Sequence, residues 1–321
     1  MQLYLATRNG FVRVEGKNGR FEPTLRSLDG HYCTSIIARE GVILLGTREG
    51  VWRSDDLGET WREAGDGLPQ PHVRWLAYHP AVSDFELAGT EPAALAISRD
   101  GGASWQEAPE VTALREQFKW WLPYSPEAGC VRGFAAHGER LYAAVEVGGL
   151  LRSDDRGRSW RLAAGSDGRP QFGQPKEGFI HPDVHSVAVH ATSAERVFAP
   201  TGGGFYVSDD GGDRWTAVYD DCYVRAVWID PEDIDHLLLG PAEGPSGRDG
   251  RIEESHDGGR SWQVVSERWM DDLVERFVQA KDVVLAMTQN GRLLRAPEWE
   301  PILAEVGGIT AVTVMGDDGP G

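Results

Sequence analysis

Ser54-Asp55-Asp56-Leu57-Gly58-Glu59-Thr60-Trp61 decides how this chain is read. The stretch returns as Ser98-Arg99-Asp100-Gly101-Gly102-Ala103-Ser104-Trp105, and again at 153–160, 208–215 and 255–262. The shared pattern is Ser-x-Asp-x-Gly-x-x-Trp, with Thr or Ser before the Trp in four of the five copies. Copies begin roughly 44 to 55 residues apart, a period that belongs to propellers and solenoids. The chemistry is that of a tight turn. The Asp accepts hydrogen bonds from nearby backbone N–H groups, the Ser hydroxyl adds another, and the Gly supplies a positive φ. The Trp opens the next strand with a large apolar body. None of this needs a substrate.

Working outward, each copy sits in one frame. An alternating strand such as Val73-Arg74-Trp75-Leu76-Ala77-Tyr78 comes first, then a run such as Val42-Ile43-Leu44-Leu45-Gly46-Thr47. A third strand precedes the repeat, as in Gly50-Val51-Trp52-Arg53, and a fourth starts at its Trp. Four short strands with turn signals between them make one propeller blade. Two further units have lost the repeat. Residues 5–21 align without a gap to residues 45–61, and residues 284–299 repeat the frame near the C-terminus. Five repeats and two degenerate units make seven.

First strands give a second count of seven, at 34–38, 73–78, 131–136, 184–189, 224–229, 274–279 and 309–314. The N-terminal unit lacks its own first strand, so the C-terminal one is expected to complete that blade and hide both sheet edges. The expected fold is therefore all-β: one seven-bladed β-propeller domain over residues 1–321, built of four-stranded antiparallel blades.

The repeats resemble the Asp-box, or bacterial neuraminidase repeat. Proteins of that class include sialidases, sortilin-type receptors, some glucan hydrolases and photosystem II assembly factors. The resemblance implies that the box is a fold signature on the outer part of each blade. A true sialidase is not expected, because no Phe-Arg-Ile-Pro tetrapeptide is present. The seven-bladed assembly factors match the blade count and the arginine-rich character.

The chain has 321 residues and a formal net charge of −18. That balance argues against nucleic acid or an anionic membrane as partner, since both select basic surfaces. Three cysteines, Cys33, Cys130 and Cys222, show no metal-ligand spacing. The N-terminal residues are already strand-like rather than a signal peptide, and no apolar run reaches the roughly 20 residues of a membrane span. The expectation is a cytoplasmic protein.

Candidate chemistry lies in the first strands. Read one position past their leading residue, they give Thr34, Arg74, Arg132, His185, Arg225, Glu275 and Thr310. In a propeller that strand is innermost, so the column should form a ring. Arg74, Arg132 and Arg225 suit an anionic ligand held by guanidinium forks. His185 and Glu275, with Asp183, are the candidates for proton transfer. The opposing reading is mutual pairing: Asp183, Asp221, Asp272 and Glu275 are the nearest carboxylates in sequence.

His181-Pro182-Asp183-Val184-His185 carries a second signal. On a strand, 181, 183 and 185 share a face. Two imidazoles and a carboxylate can hold a divalent metal, act as an acid–base pair, or be structural. Trp120 and Trp121, in the long insertion at 111–129, suit stacking on a sugar or anchoring of their own loop. Tyr223 leads into the Arg225 strand. Glu146 replaces the Thr found at 7, 47 and 201. The cofactor is unknown, with a divalent metal as the one candidate.

Two functions follow. One is a propeller that binds a small acidic molecule or carbohydrate, with glycosidase-like hydrolase or lyase activity open. The alternative is a non-catalytic assembly scaffold with a protein partner.

Overall fold

The computed structural model describes residues 1–17, 20–125, 129–170, 173–266 and 270–315. Its strands form seven four-stranded antiparallel sheets, the blades of a seven-bladed β-propeller. The first blade has the order Ile309–Thr313, Gln2–Thr7, Gly10–Lys17, Arg20–Ser27. Tyr4 pairs with Thr313, Leu5 with Val312 and Ala6 with Ala311, so the C-terminal strand completes the N-terminal blade.

The second blade runs Cys33–Arg39, Val42–Thr47, Val51–Ser54, Arg62–Glu63, and the third Val73–Tyr78, Glu86–Thr90, Leu95–Ser98, Gln106–Glu107. The fourth comprises Cys130–His137, Arg140–Glu146, Gly149–Ser153 and Arg161–Leu162. The fifth comprises Ala188–Val189, Val197–Thr201, Gly204–Ser208 and Thr216–Asp220. The sixth comprises Tyr223–Asp230, Asp233–Ala242, Glu253–Ser255 and Gln263–Val264, and the seventh Val274–Ala280, Val283–Thr288, Leu293–Arg295 and Glu300–Ile302.

The chain divides into two compact units. One holds Met1–Glu91, Leu95–Glu107 and Val278–Gly321; the other holds Pro92–Ala94 and Ala108–Phe277. Each is built from sheets whose apolar faces meet. In the first unit Tyr4, Phe11, Ile36, Ile43 and Leu45 form one such core. In the second, Tyr142, Leu150, Val184, Val197 and Trp215 form another.

The five boxes share one hydrogen-bond pattern. The Ser hydroxyl accepts the Gly N–H at 2.8 to 2.9 Å, from Gly58, Gly102, Gly157, Gly212 and Gly259. The Asp accepts the backbone N–H four residues on, as Thr60 N–H to Asp56 at 2.9 Å and Arg214 N–H to Asp210 at 2.8 Å. Thr60, Ser104, Ser159 and Ser261 also donate a hydroxyl to it at 2.6 Å.

In four of the boxes an arginine from the blade before then donates to the carbonyl between Asp and Gly. Arg13 reaches Leu57 O, Arg53 reaches Gly101 O, Arg152 reaches Gly211 O and Arg196 reaches Gly258 O. Gly58 shows how close the joint is: at φ +90°, a Cβ there would stand 2.2 Å from Phe11 Cε1.

Two expectations are corrected. The first strand of the fifth blade, expected over 184–189, is reduced to Ala188–Val189 plus a single bridge between Val184 and Thr201. Pro182 cannot donate to a ladder, so pairing starts only after it, with the His185 N–H donating to Pro200 O and the Gly202 N–H to Asp183 O, both at 2.9 Å. The insertion at 111–129 is not all loop. Residues Pro109–Phe118 form an α-helix with Pro in its first turn, closed by Lys119 at φ 55°, where a left-handed residue satisfies a terminal carbonyl.

Candidate functional site

Three residues of the first-strand column tie one blade to the next. In the first unit, Thr310 Oγ1 donates to Cys33 O at 2.8 Å and Thr34 Oγ1 donates to Val73 O at 2.5 Å. In the second, His185 Nδ1 meets Val224 O at 2.6 Å. Each of these residues reaches the carbonyl just before the column residue of the next blade. Neighbouring blades are therefore tied at these three positions.

The second unit gathers most of the predicted site residues. Arg132, only 6 % exposed, sets Nη2 3.0 Å from Glu275 Oε2 and Nη1 3.5 Å from Glu146 Oε2. Arg225 Nη1 is bonded to the other oxygen of Glu275, and its Nη2 donates to the Tyr223 hydroxyl at 3.2 Å. Tyr223 lies with its ring centroid 4.5 Å from that of His185. His185 Nε2 stands 3.2 Å from Asp183 Oδ2. Glu146, also buried, accepts from Cys130 Sγ at 3.0 Å and Tyr124 OH at 3.3 Å.

Burial alone would raise the Glu275 carboxyl, but Arg225 and Arg132 more than offset it and hold it below its ordinary value. Burial would lower Arg132, yet Glu146 and Glu275 hold it well above the ordinary arginine value. Tyr223 is pushed up to about 12 by burial, against the opposing pull of Arg225. Glu275 is thus a fixed anion, which disqualifies it as a proton donor near neutral pH. His185, with Nδ1 committed to Val224 O, retains only Nε2 for proton transfer or ligation.

Arg74 belongs to the first unit, where its Nε lies 3.5 Å from Glu91 Oε2. His72 shares that carboxylate at 3.8 Å, and burial together with Arg74 pulls its imidazole down to about 4. Of the carboxylates expected to neutralise the arginines, Glu275 does so. Asp272 Oδ1 instead accepts the Leu273 N–H at 3.0 Å.

Of the two readings for Trp120, stacking or anchoring, burial favours the second: the side chain is fully buried, and its Nε1 donates to Gly168 O at 2.7 Å. It anchors its own insertion, as a large ring with one donor does when it is covered. Trp121 is half-buried. His181 lies outside any strand, and burial lowers its imidazole against the opposing pull of Asp183. Its Nδ1 accepts the Asp183 N–H at 3.2 Å and its ring lies over Gly203.

Sequence reasoning missed Arg276, which burial and Arg132 pull down to about 10. It also missed Cys130 and Tyr124, whose contacts with Glu146 join positions that no repeat alignment relates.

No family model matches the chain. It is 26 % identical over 288 residues to an oligoxyloglucan-reducing end-specific xyloglucanase of Emericella nidulans, covering 75 % of this chain and 34 % of that protein. The chain thus spans about a third of the length of that curated relative. Among solved structures it is similar to YCF48 bound to D1 peptide, with TM-score 0.60 at 16 % identity over 91 % of this chain and 87 % of the other. It is also similar to an ancestral GH74 enzyme, with TM-score 0.63 at 18 % identity over 88 % and 38 %. The GH74 xyloglucanase from Xanthomonas campestris gives TM-score 0.60 at 18 % identity over 86 % and 46 %. These likenesses establish the propeller fold. It is shared with chains that act on carbohydrate and with one that binds a peptide.

Proposed function

We propose that this propeller binds a small acidic molecule or carbohydrate at the cluster formed by Arg132, Arg225, Tyr223 and Glu275. One observation carries the reading: the Nε atoms of Arg132 and Arg225 are both buried without a hydrogen-bond partner among the described residues. Both guanidinium groups are already oriented by the two oxygens of Glu275. A buried donor left unmade costs about 1–3 kcal/mol, and a ligand carboxylate or sugar hydroxyl removes that cost for two donors in one place. Tyr223 supplies an aromatic face and a hydroxyl. The five boxes are read as Asp-boxes of the bacterial neuraminidase type with a purely structural role.

The test is calorimetric titration of the whole chain with a panel of uronic acids, other sugar acids and neutral oligosaccharides, including xyloglucan fragments. A ligand of this site should lose at least tenfold in affinity in Arg225→Lys and in Tyr223→Phe. A ligand that binds both variants as it binds wild type, or no binding by any panel member, overturns the reading.

A second reading follows from the likeness to YCF48. YCF48 matches over most of both chains, whereas the GH74 enzymes contain this propeller as less than half of their length. That likeness suits a scaffold that takes a peptide carboxylate on the same arginines. Peptides ending in a free carboxylate, compared with their amides, belong in the same titration.

A further inference from the structure

Besides the two arginine Nε atoms, His185 Nε2 is a buried atom of the second unit's cluster without a hydrogen-bond partner among the described residues. The side chain is 1 % exposed. Its Nδ1 lies 2.6 Å from Val224 O, and a carbonyl only accepts, so Nδ1 carries a proton. Nε2 has no hydrogen-bond partner among the described residues, although Asp183 Oδ2 is 3.2 Å away. The pair is close without being aligned as a hydrogen bond. A neutral ring would turn its lone pair on a carboxylate oxygen, and the two would repel. Asp183 Oδ1 is also buried without a hydrogen-bond partner.

A third donor completes the set. One ligand atom each from Glu146, Asp183 and His185 lies within 4.8 Å of the other two. Bonds of about 2.0–2.2 Å to a shared ion place such atoms some 3–4 Å apart, so a small inward adjustment is enough. The Nδ1–H bond to Val224 O is what a metal-bound histidine makes with its second nitrogen, fixing tautomer and ring orientation. Gly202 leaves the space: a Cβ there would stand 2.3 Å from Asp183 Oδ2. A second group, His236, Glu254 and His256, also lies within reach of one ion. There both nitrogens of His236 are already bonded to carboxylates, at 2.8 and 2.9 Å, so nothing points to a missing partner.

We propose that Glu146, Asp183 and His185 bind one divalent first-row cation, Zn²⁺ or Mn²⁺. One imidazole and two carboxylates suit these ions, and three protein ligands leave at least one position open for water or substrate. The two carboxylates offset the ionic charge, and Arg132 retains Glu275 as its counter-ion. Glu146 thus takes the place that the sequence pattern gave to His181. The site uses none of the atoms on which the ligand reading rests.

The experiment uses the full chain stripped with chelator and then dialysed. Titration with MnCl₂, followed by the loss of the free-ion electron paramagnetic resonance signal, should give one site per chain. ZnCl₂ should compete for it. Glu146→Gln and Asp183→Asn should each weaken Mn²⁺ binding at least tenfold, while His236→Gln should leave it unchanged.

Because either site variant can lose stability, a wild-type measurement stands beside them. In side-chain ¹⁵N spectra, Zn²⁺ should shift His185 Nε2 while Nδ1 stays protonated. Absence of a bound ion, binding lost with His236 instead, or a His185 Nε2 resonance unmoved by Zn²⁺ overturns the proposal. No organic ligand enters this experiment, so its failure leaves the arginine site standing, and the converse holds.

Discussion

Glu275 is ion-paired with Arg225, 50 residues away in sequence and on the neighbouring blade. Its other oxygen holds Arg132 at 3.0 Å. One carboxylate therefore compensates two guanidinium groups that are themselves nearly buried. Removing one partner of a buried pair costs about 3–5 kcal/mol, because the remaining charge is left uncompensated. Glu275→Gln should lose that much in urea unfolding at pH 7. The arginines depress the Glu275 carboxyl in the folded state, so its contribution is present above the ordinary value of 4.5 and is lost as pH falls through the lower folded value. Wild type should lose stability in that acid window more steeply than the variant. Equal slopes would show that Glu275 is not holding the two arginines in solution.

Glu86 makes the opposite prediction. It is 7 % exposed, beside a cleft lined also by Ile37, Arg39, Tyr78 and Asp84. Burial pushes its carboxyl up to about 7, against the weaker pull of the Ser98 hydroxyl. Between pH 4.5 and about 7 the folded chain keeps a proton that the unfolded chain has released. Stability therefore falls as pH rises through that window. Glu86→Gln, which keeps the shape without the charge, should raise the melting temperature at pH 8 and leave it almost unchanged at pH 4.5. A variant less stable than wild type at pH 8 would mean that the ionised group is paired.

His236 bridges Asp230 at 2.8 Å and Glu254 at 2.9 Å. Burial lowers its imidazole, but the hydrogen bonds to Glu254 and Asp230 prevail and raise it above 6.5. The bridge stabilises the fold fully below 6.5 and fades as pH rises through the folded value. His236→Gln should be less stable than wild type at pH 6, with the gap closing by pH 9. A constant gap would assign the loss to packing against Trp228, whose ring lies 5.4 Å away.

The fold was legible because its signals are local and repeated. A Ser, an Asp, a Gly and a Trp at fixed spacing dictate one turn, and a turn recurring beside alternating strands dictates a blade. The place of the column residues within their own blades was legible for the same reason, since repeats put equivalent residues at equivalent points of a blade. What the column residues touch was not. The pairing of Arg132 with Glu146 and Glu275 depends on side-chain length and on which blades carry opposite charge, which no spacing encodes. Trp120 looked like a platform because an aromatic run is the same in sequence whether it faces solvent or fills the space beneath its own helix. The face assigned to His181 rested on an alternation that Pro182 interrupts, so spacing alone could not place it.

The arginines that tie four of the boxes to the blade before them were half visible. Arg53 and Arg152 directly precede the box serines Ser54 and Ser153, and Arg13 aligns with Arg53, but nothing local says that they reach across. Arg152 is 8 % exposed, with Nη1 2.9 Å from Gly211 O. A hydrogen bond from a charged donor contributes about 1.5–3 kcal/mol, so Arg152→Gln should lose about that much stability. Asp210→Ala removes acceptors from an exposed turn and should cost only about 1 kcal/mol, whereas Trp215→Ala empties a buried site and should cost about 3–5 kcal/mol. In the same box Arg214 stands where four copies have Thr or Ser, and Asp210 lacks the 2.6 Å hydroxyl bond of the others. Arg214→Ser should restore it and gain up to about 1 kcal/mol. Denaturant unfolding of the four variants tests the order Trp215, Arg152, Asp210, with Arg214→Ser above wild type. Metal and ligand titrations of the same proteins should be unchanged. A box variant that unfolds like wild type but no longer binds would move the function to the boxes.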